Sequence, residues 1–389
     1  MQRIAMTAGL VGLACTTSIA SNDDTRWYES ALRADAAGYD SFQISDGEAS
    51  LTINGYLQTR YVASFSDGFD SGEDVTTGFT QPRLRLGVKG NLTDKIGYVL
   101  GTESAGGTTS VLDANIAFAL TDELTLRIGQ YVLSYTREQD VSASRQVAVE
   151  RSVTHSFFSG GRSQGAELEW QRGEFRLRGS LSDGFNALST PTFSSAEADI
   201  GLTARVEWKP EGAWSQFRDF QGWRGGERGL LFGAATHYQS TGDTGAATGA
   251  TALDDVFALT ADVSAEFNGA GAMAGWYFMD RETTAGDFTE HGLVLQGSVF
   301  VNDTTEVFAR WDAIFVDSDR SPTADDLHTI TAGATFFFIP ESHAAKLTVD
   351  AQYMLSDLND SPLGTSDSRA IFASSDSQVA LRAQLQIRF

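Results

Sequence analysis

The chain has 389 residues, of which 20% are charged, and its formal net charge is −23 at pH 7. This acidic balance, with no basic arm or stripe, excludes a general nucleic-acid binder. Glycine is abundant (39), aromatic residues make up 11% and there are only six prolines. The composition therefore favours strands and turns over helices or disorder.

The first twenty residues have the pattern of a secretory signal peptide. A basic residue, Arg3, precedes an apolar run from Ile4 to Cys15, and small residues stand at Ser18 and Ala20. We expect cleavage after Ala20, with a first buried helix as the alternative. Because Cys15 is the single cysteine, the mature chain would carry no disulfide framework.

Alternation of apolar and polar residues begins near residue 50 and recurs to residue 389, which is typical of β-strands. The polar stretch 21–49 before it is predicted to be a short, partly helical periplasmic segment, with a disordered linker as the alternative. No later stretch has the ~18 apolar residues that a spanning helix needs. The candidate strands, sixteen in number, lie near 50–65, 79–90, 95–103, 110–120, 124–133, 163–170, 175–182, 199–208, 230–239, 255–267, 270–279, 290–301, 305–316, 328–339, 346–356 and 378–389.

The connections between these strands alternate in length. The short ones are 91–94, 121–123, 171–174, 268–269, 302–304 and 340–345. The long, polar ones are 66–78, 104–109, 134–162, 183–198, 240–254, 280–289, 317–327 and 357–377. Short periplasmic turns at one rim, long outward loops at the other and an even strand count predict an all-β fold, a sixteen-stranded antiparallel transmembrane β-barrel over 50–389. The connection 209–229 is an exception, because it falls on the short side and is still about twenty residues long.

Hairpin pairing supports this prediction. Asn268-Gly269 is a type I′ turn signal, and pairing across it places Phe267 opposite Ala270 on one apolar face. By the same rule, residues 171–174 would place Trp170 opposite Phe175, and the other face would set Glu169 against Arg176 and Glu167 against Arg178. A soluble sandwich would also alternate, but its apolar face would need a second sheet.

If the apolar face meets lipid, the polar face lines a lumen, and sixteen strands leave a water-filled channel. We therefore predict passive diffusion of small hydrophilic solutes. The basic residues on this face that are candidates for the pore wall are Arg60, Arg83, Arg85, Lys89, Arg127, Arg176 and Arg178. They could guide anions such as phosphate, or they could pair with wall carboxylates such as Glu167 and Glu169.

The segment 134–162 is the longest early outward connection, and such loops are usually functional or disordered. It carries Arg137, Arg145, Arg151 and Arg162, and it is the candidate to fold inward as a constriction loop. A solvated surface loop is the alternative.

Signals for an enzyme, a cofactor or a metal site are missing from the sequence. The five histidines have no metal-ligand spacing, and HExxH, GxSxG and P-loop patterns are absent. A structural or adhesive barrel with a closed lumen stays open as a second function class.

Three segments resemble the phosphate-selective porin O and P family: FTQPRLRLGVKGNLTDKIGYVLGTES, LDANIAFALTDELTLRIGQYVLSYTREQ and VAVERSVTHSFFSGGRSQGAELEW. The resemblance implies a sixteen-stranded porin in outer-membrane lipid, commonly a homotrimer, with a basic wall and an inward loop. Arg83, Arg85 and Arg127 would match the family's wall cations, and Glu150-Arg151 would match the acidic-basic step of its loop.

The chain closes on the alternating segment Gln378–Phe389. We expect it to pair with the first strand, near 51–65, so that the barrel has no free edge. The resemblance adds that the terminal aromatic residue, Phe389, is the assembly signal read by the barrel assembly machinery.

Overall fold

A computed structural model describes residues 42–67, 75–189, 198–240, 253–283, 286–320, 326–356 and 376–389. The predicted signal peptide, 1–20, lies outside them. The strands are β1 Phe42–Asp46, β2 Ala49–Asp67, β3 Val75–Thr93, β4 Ile96–Ala105, β5 Thr108–Ala119, β6 Leu124–Val132, β7 Arg162–Arg172, β8 Phe175–Ser182, β9 Ile200–Glu211, β10 Gly229–Ser240, β11 Leu253–Phe267, β12 Ala270–Thr283, β13 Gly286–Asn302, β14 Thr305–Phe315, β15 Leu327–Phe337, β16 Ala345–Met354 and β17 Asp376–Arg388.

Strands β2 to β17 form a closed antiparallel barrel. Each pairs with the next along the chain, and β17 pairs with β2, with Gln384 opposite Arg60. This confirms the predicted sixteen-stranded barrel and the pairing of the last strand with the first. Closure leaves these strands without an open edge, as a bilayer requires. Within the described ranges, no helix is both long and apolar enough to cross a membrane.

The predicted hairpin registers hold at one turn and slip at another. Phe267 pairs with Ala270 as expected. In the β7–β8 hairpin, however, Arg172 pairs with Phe175, so Trp170 faces Leu177 instead of Phe175.

The slip shortens that turn to Gly173 and Glu174, because Gly173 adopts the left-handed conformation (φ +55°) that a tight turn needs. As a result Glu169 pairs with Arg178 and not with Arg176, and Glu167 faces Ser180. A shift of two residues keeps every side chain on its predicted face.

Residues 42–49 form a β-hairpin with the start of β2, where we expected a helical or disordered segment. The last strand ends beside Gly55, whose carbonyl accepts a hydrogen bond from the Phe389 N–H (2.9 Å). Beyond that point β1 pairs with β2 as far as Ile53. Strand β1 therefore covers the part of the β2 edge that β17 does not reach, where unpaired backbone groups would otherwise be left open.

Not every outward connection is long. Strands β4 and β5 are joined by Gly106 and Gly107 alone, both at positive φ, although a loop was expected over 104–109. Strands β12 and β13 likewise extend to Thr283 and from Gly286. The two-glycine turn permits a tight hairpin, so the strands continue where a loop was expected.

The outward face of the barrel is apolar, as expected for contact with lipid. Exposed side chains on it include Leu86, Leu177, Val206, Leu295 and Leu385. The inward face is not uniformly polar. On β10 to β16 it contributes buried apolar residues to one cluster with the loop 134–162: Ala235, Val256, Ala258, Met273, Tyr277, Met279, Val294, Phe308, Ile314, Leu327 and Met354.

Candidate permeation pathway

The loop 134–162 lies inside the barrel and has its own local structure. It contains the helices α1 (Arg137–Asp140) and α2 (Val153–Phe158). The Ser152 hydroxyl caps α2 by accepting a hydrogen bond from the His155 N–H (2.8 Å). The buried Glu138 carboxylate accepts hydrogen bonds from the Ser152 N–H (2.9 Å) and hydroxyl (2.6 Å). These bonds join the two helices into a folded unit.

Wall carboxylates fix the second half of the loop to the far side of the barrel. Asp312 on β14 accepts hydrogen bonds from the N–H groups of Val153 (2.9 Å) and Thr154 (3.1 Å) at the start of α2. Asp350 on β16 accepts one from the Val149 N–H (3.0 Å). Charged acceptors make these bonds stronger than neutral ones.

Glu150 connects the loop to the opposite, basic wall. Its carboxylate accepts hydrogen bonds from Arg60 (2.6 Å) and from both terminal nitrogens of Arg83 (2.9 and 2.7 Å). Arg60 also donates to Gln384 on the closing strand. Two of the predicted wall cations therefore hold the loop in place.

Apolar packing completes the attachment. Phe158 of α2 stacks on Tyr277 of β12 with ring centroids 5.6 Å apart, and both are almost fully buried. Val141, Val147 and Val153 of the loop join the same cluster. The loop thus fills the half of the lumen beside β10 to β16.

The space that stays open lies between the loop and strands β3 to β8. It is a cavity of about 370 Å³ in which the wall and the loop both expose charge. Its charged lining residues are Arg85, Arg127, Arg151, Arg162, Arg176, Arg178, Asp113, Asp140, Glu167 and Glu169. A second cavity of about 290 Å³ shares Arg85 and Asp113 with it and reaches Lys89, Arg145 and Arg388 toward the short-turn rim.

Most arginines of this lining are paired with carboxylates. Arg127 pairs with Glu167 at 2.5 Å. Arg162 pairs with Asp113 (3.1 Å), Arg178 with Asp140 (2.7 Å) and with Glu207 (2.9 Å), Arg176 with Glu207 (2.6 Å), and Arg85 with Glu103 (2.5 Å). These cations are therefore paired with carboxylates, but of the two carboxylates named for such pairing only Glu167 takes part among the described residues. Glu103 and Glu207 form several of the other ion pairs.

Arg151 differs from the other cations. It donates to the backbone carbonyls of Glu138 and Val141, both at 2.7 Å, and no carboxylate of the described residues lies within ion-pair distance of it. Burial, together with the nearby charges of Arg83 and Arg85, lowers the pKa of Arg151 to about 10. It stays protonated at neutral pH and adds a positive charge to the loop side of the cavity.

The structure places the predicted site residues in three groups. Arg85, Arg127, Arg176, Arg178, Arg151 and Arg162 line the larger cavity, and Lys89 and Arg145 line the second. Arg60 and Arg83 bind the loop through Glu150. Arg137 points away from the open space and is buried against β11 and the connection 209–229.

Several acidic residues of this region were missed or given no role by sequence reasoning. Asp262 on β11 is paired with the buried Arg205 through two short contacts, and Asp140 joins the same cluster from the loop. Both Asp262 and Asp113 stand at inward positions of their strands, and that alternation was the available signal. The loop residues Asp140 and Glu138 follow no strand periodicity, so the pattern contained no signal for them.

Among the described residues, no cluster of three or more histidine, cysteine, aspartate or glutamate side chains is arranged to hold a metal ion. The site is instead a charged, water-accessible passage inside a closed barrel with an apolar outer surface. This combination defines a transmembrane channel of the porin class.

Comparisons with known proteins support the assignment to the porin class. The sequence profile of the family "Phosphate-selective porin O and P" matches residues 54–389, and the chain belongs to that family. It is an outer-membrane porin, which forms a channel for small solutes. Among proteins with curated functions, none matches this sequence at a significant level.

Solved outer-membrane proteins share the fold at low sequence identity. An anion-selective porin from Comamonas acidovorans is 15% identical with a TM-score of 0.61, and the match covers 88% of this chain and all of that one. OmpT of Vibrio cholerae is 13% identical, with a TM-score of 0.58 and coverage of 90% and 100%. The outer membrane channel DcaP of Acinetobacter baumannii is 11% identical, with a TM-score of 0.57 and the same coverage.

Proposed function

We propose that the channel carries small hydrophilic anions in preference to cations, with phosphate among the candidate solutes. One observation supports this most directly. Six arginines and four carboxylates line the larger cavity, whereas Glu103 and Glu207, which pair with three of these arginines, are not part of the lining. The side chains that face the passage therefore carry an excess of two positive charges, in a chain whose net charge is −23. A local excess of cations on a pore wall concentrates anions in the passage.

The residues proposed to guide anions are those that face the open space: Arg85, Lys89, Arg127, Arg176, Arg178, Arg145, Arg151 and Arg162. Arg60 and Arg83 act indirectly, because they hold the loop 134–162 through Glu150. That loop is the proposed constriction. The anion-selective porin that shares this fold is a precedent for anion preference in such a barrel.

Arg151 provides the sharpest test, since it adds charge without a carboxylate partner among the described residues. One unit charge about 10 Å from a permeating ion in water contributes about 0.4 kcal/mol, with opposite signs for an anion and a cation, so it changes their permeability ratio by a factor of about four. We expect the reversal potential of the wild-type channel in a KCl gradient to indicate chloride preference. The R151Q variant should lower the chloride-to-potassium permeability ratio by roughly fourfold.

The matched control is R172Q. Arg172 pairs with Glu123 at the short-turn rim, and its side chain is 71% exposed, far from the cavity lining. Its removal should leave the reversal potential unchanged. A wild-type reversal potential that favours potassium would refute anion preference.

A structural or adhesive barrel with a closed lumen is the alternative function, and the absence of any ohmic conductance in planar bilayers would favour it.

We further propose that the protein is not an enzyme, as its family membership suggests. A homotrimer in outer-membrane lipid is proposed because a structure of OmpT that shares this fold is described as a trimer form. Cleavage of residues 1–20, and recognition of Phe389 by the barrel assembly machinery, complete the proposal.

A further inference from the structure

The connection between β9 and β10, residues 212–228, is too long for a simple turn, and its contacts explain its length. We call it the inner brace. It begins near the β7–β8 turn, where the Trp214 indole donates a hydrogen bond to the Gly173 carbonyl (3.0 Å). A 3₁₀-helical turn, Gln216–Arg218, follows, and Phe217 is buried together with Trp214 against Leu231.

The second half of the brace reaches wall strands on the other side of the short-turn rim. Asp219 is bonded to His343 in the β15–β16 turn (3.0 Å). Gln221 donates a hydrogen bond to Glu306 on β14 (3.1 Å). Trp223 packs against Phe337 at a centroid distance of 4.9 Å. The brace therefore extends beneath the filled half of the lumen.

The backbone of the brace also fits closely against its neighbours. A Cβ atom on Gly222 would lie 1.9 Å from the carbonyl oxygen of Ala270, so only glycine permits this approach. Such a close fit indicates a defined position for the brace within the barrel mouth.

Arg137 connects the brace to the loop 134–162. Its guanidinium donates hydrogen bonds to the carbonyls of Phe217 (2.7 Å) and Asp219 (3.2 Å), and to the hydroxyl of Ser264 on β11 (3.0 Å). It also lies over the ring of Phe220 at 5.0 Å. The side chain is 2% exposed, so these bonds form without competition from bulk water.

We propose that the inner brace sets the width of the permeation pathway by supporting α1 of the loop 134–162 from the short-turn side, with Arg137 as the positioning residue. This inference rests on the proposed channel function. The first helix of the loop carries Gln139 and Asp140, which line the larger cavity. A shift of α1 therefore moves the cavity lining itself.

The two halves of the loop 134–162 are held in place by different contacts. The second half of the loop is held by Asp312, Asp350 and Glu150, but these contacts begin at Val149. On the side of α1, Arg178 and Arg205 hold Asp140 from the wall (2.7 and 3.4 Å), and the guanidinium of Arg137 connects α1 to two backbone carbonyls of the brace. Without Arg137, the carbonyls of Phe217 and Asp219 would lose these buried hydrogen bonds, which is costly.

Two variants test the proposal. R137M keeps the length of the side chain and removes its hydrogen-bond donors. A second variant lacks residues 213–227. Its new junction is sterically possible because a Cβ on Gly212 would lie only 2.9 Å from the Cα of Gly229, so the two ends of the brace are already adjacent.

Single-channel conductance and exclusion of polyethylene glycols of graded size are the readouts. Because the conductance of a water-filled pore follows its open cross-section, we expect increases of roughly 1.5-fold for R137M and roughly twofold for the deletion, each with a larger polymer cut-off. R137K should restore part of the wild-type behaviour, since an ammonium can still donate to these carbonyls. The control is R224Q. Arg224 belongs to the brace, but it pairs with the exposed Asp303 (3.0 Å). The R224Q variant should therefore keep the conductance of the wild type.

Heat-modifiable mobility on gels first establishes that each variant has folded. If R137M does not fold, the deletion variant decides the question. If a folded variant has the conductance and the polymer cut-off of the wild type, the proposed role of the brace is wrong, but the channel function is not affected. A wild-type protein without conductance would overturn both.

Discussion

The contact between Glu150 and its two arginines supports a quantitative prediction for the substitution E150Q. The Glu150 side chain is 4% exposed, and that of Arg60 is fully buried. Removing one partner of a buried ion pair typically costs about 3–5 kcal/mol, because the remaining charge stays buried without compensation. Glutamine can still accept one hydrogen bond, so we take about 3 kcal/mol, which changes the equilibrium between attached and detached loop by more than about 100-fold.

The same substitution changes the charge of the passage by one unit. With Arg60 and Arg83 uncompensated, the anion-to-cation permeability ratio should rise, by a factor of about four for a charge about 10 Å from the ion in water. Planar-bilayer recordings of E150Q should therefore show a reversal potential shifted toward chloride selectivity and more frequent current fluctuations from a loosened loop.

The matched control is E123Q, because Glu123 pairs with Arg172 at the exposed rim (3.3 Å). The double variant R83Q/E150Q completes a thermodynamic cycle and should recover part of the wild-type selectivity. If E150Q has the reversal potential and the current noise of the wild type, the reasoning that places Glu150 at the centre of loop attachment is refuted.

Three further predictions follow from individual residues. Burial, together with the nearby charge of Lys346, lowers the pKa of His343 to about 4 from its ordinary 6.5, so the neutral imidazole contributes stability that is fully present above about pH 6.5 and declines as the pH falls toward 4. Acidification toward pH 4 should therefore lower the heat stability of the folded barrel, measured by its heat-modifiable mobility on gels, and H343Q should weaken that dependence. Deletion of Phe389 should impair membrane assembly, and unchanged amounts of heat-modifiable barrel would contradict this. A Cβ on Gly292 would lie 2.6 Å from the ring of Phe158, so G292L should push α2 into the passage and reduce conductance; an unchanged conductance would contradict the packing.

Strand alternation made the barrel predictable, because a transmembrane strand needs one face for lipid and one for the lumen. The register slip in β7–β8 shows the limit of this signal. A shift of two residues leaves both faces unchanged, so alternation cannot choose between Glu169–Arg176 and Glu169–Arg178 pairing. The turn decides it, through the left-handed conformation of Gly173.

Strand alternation did not predict that the loop 134–162 fills one half of the lumen and leaves the other half open. On β12 the outward Trp276 alternates with the inward Tyr277 and Met279, so both faces are apolar and the pattern alone gives no assignment of the interior. Those inward residues are apolar because they pack on the loop, and such long-range packing leaves no local periodicity. For the same reason, the sequence identified Arg137 as a loop cation but gave no indication of its contact with the brace.

The packed half of the lumen gives this barrel two walls with different tolerance to mutation. Inward apolar positions on β10 to β16, such as Met273, Tyr277 and Val294, pack in one core with the loop 134–162, and a polar replacement there removes packing and costs folding energy. The charged inward residues of β3 to β8 line the open cavity, and we expect that an exchange of one such side chain alters which solute passes and leaves the scaffold intact. A few substitutions on β3 to β8 can therefore change the preferred solute, while the packing on β10 to β16 keeps the loop 134–162 in its position.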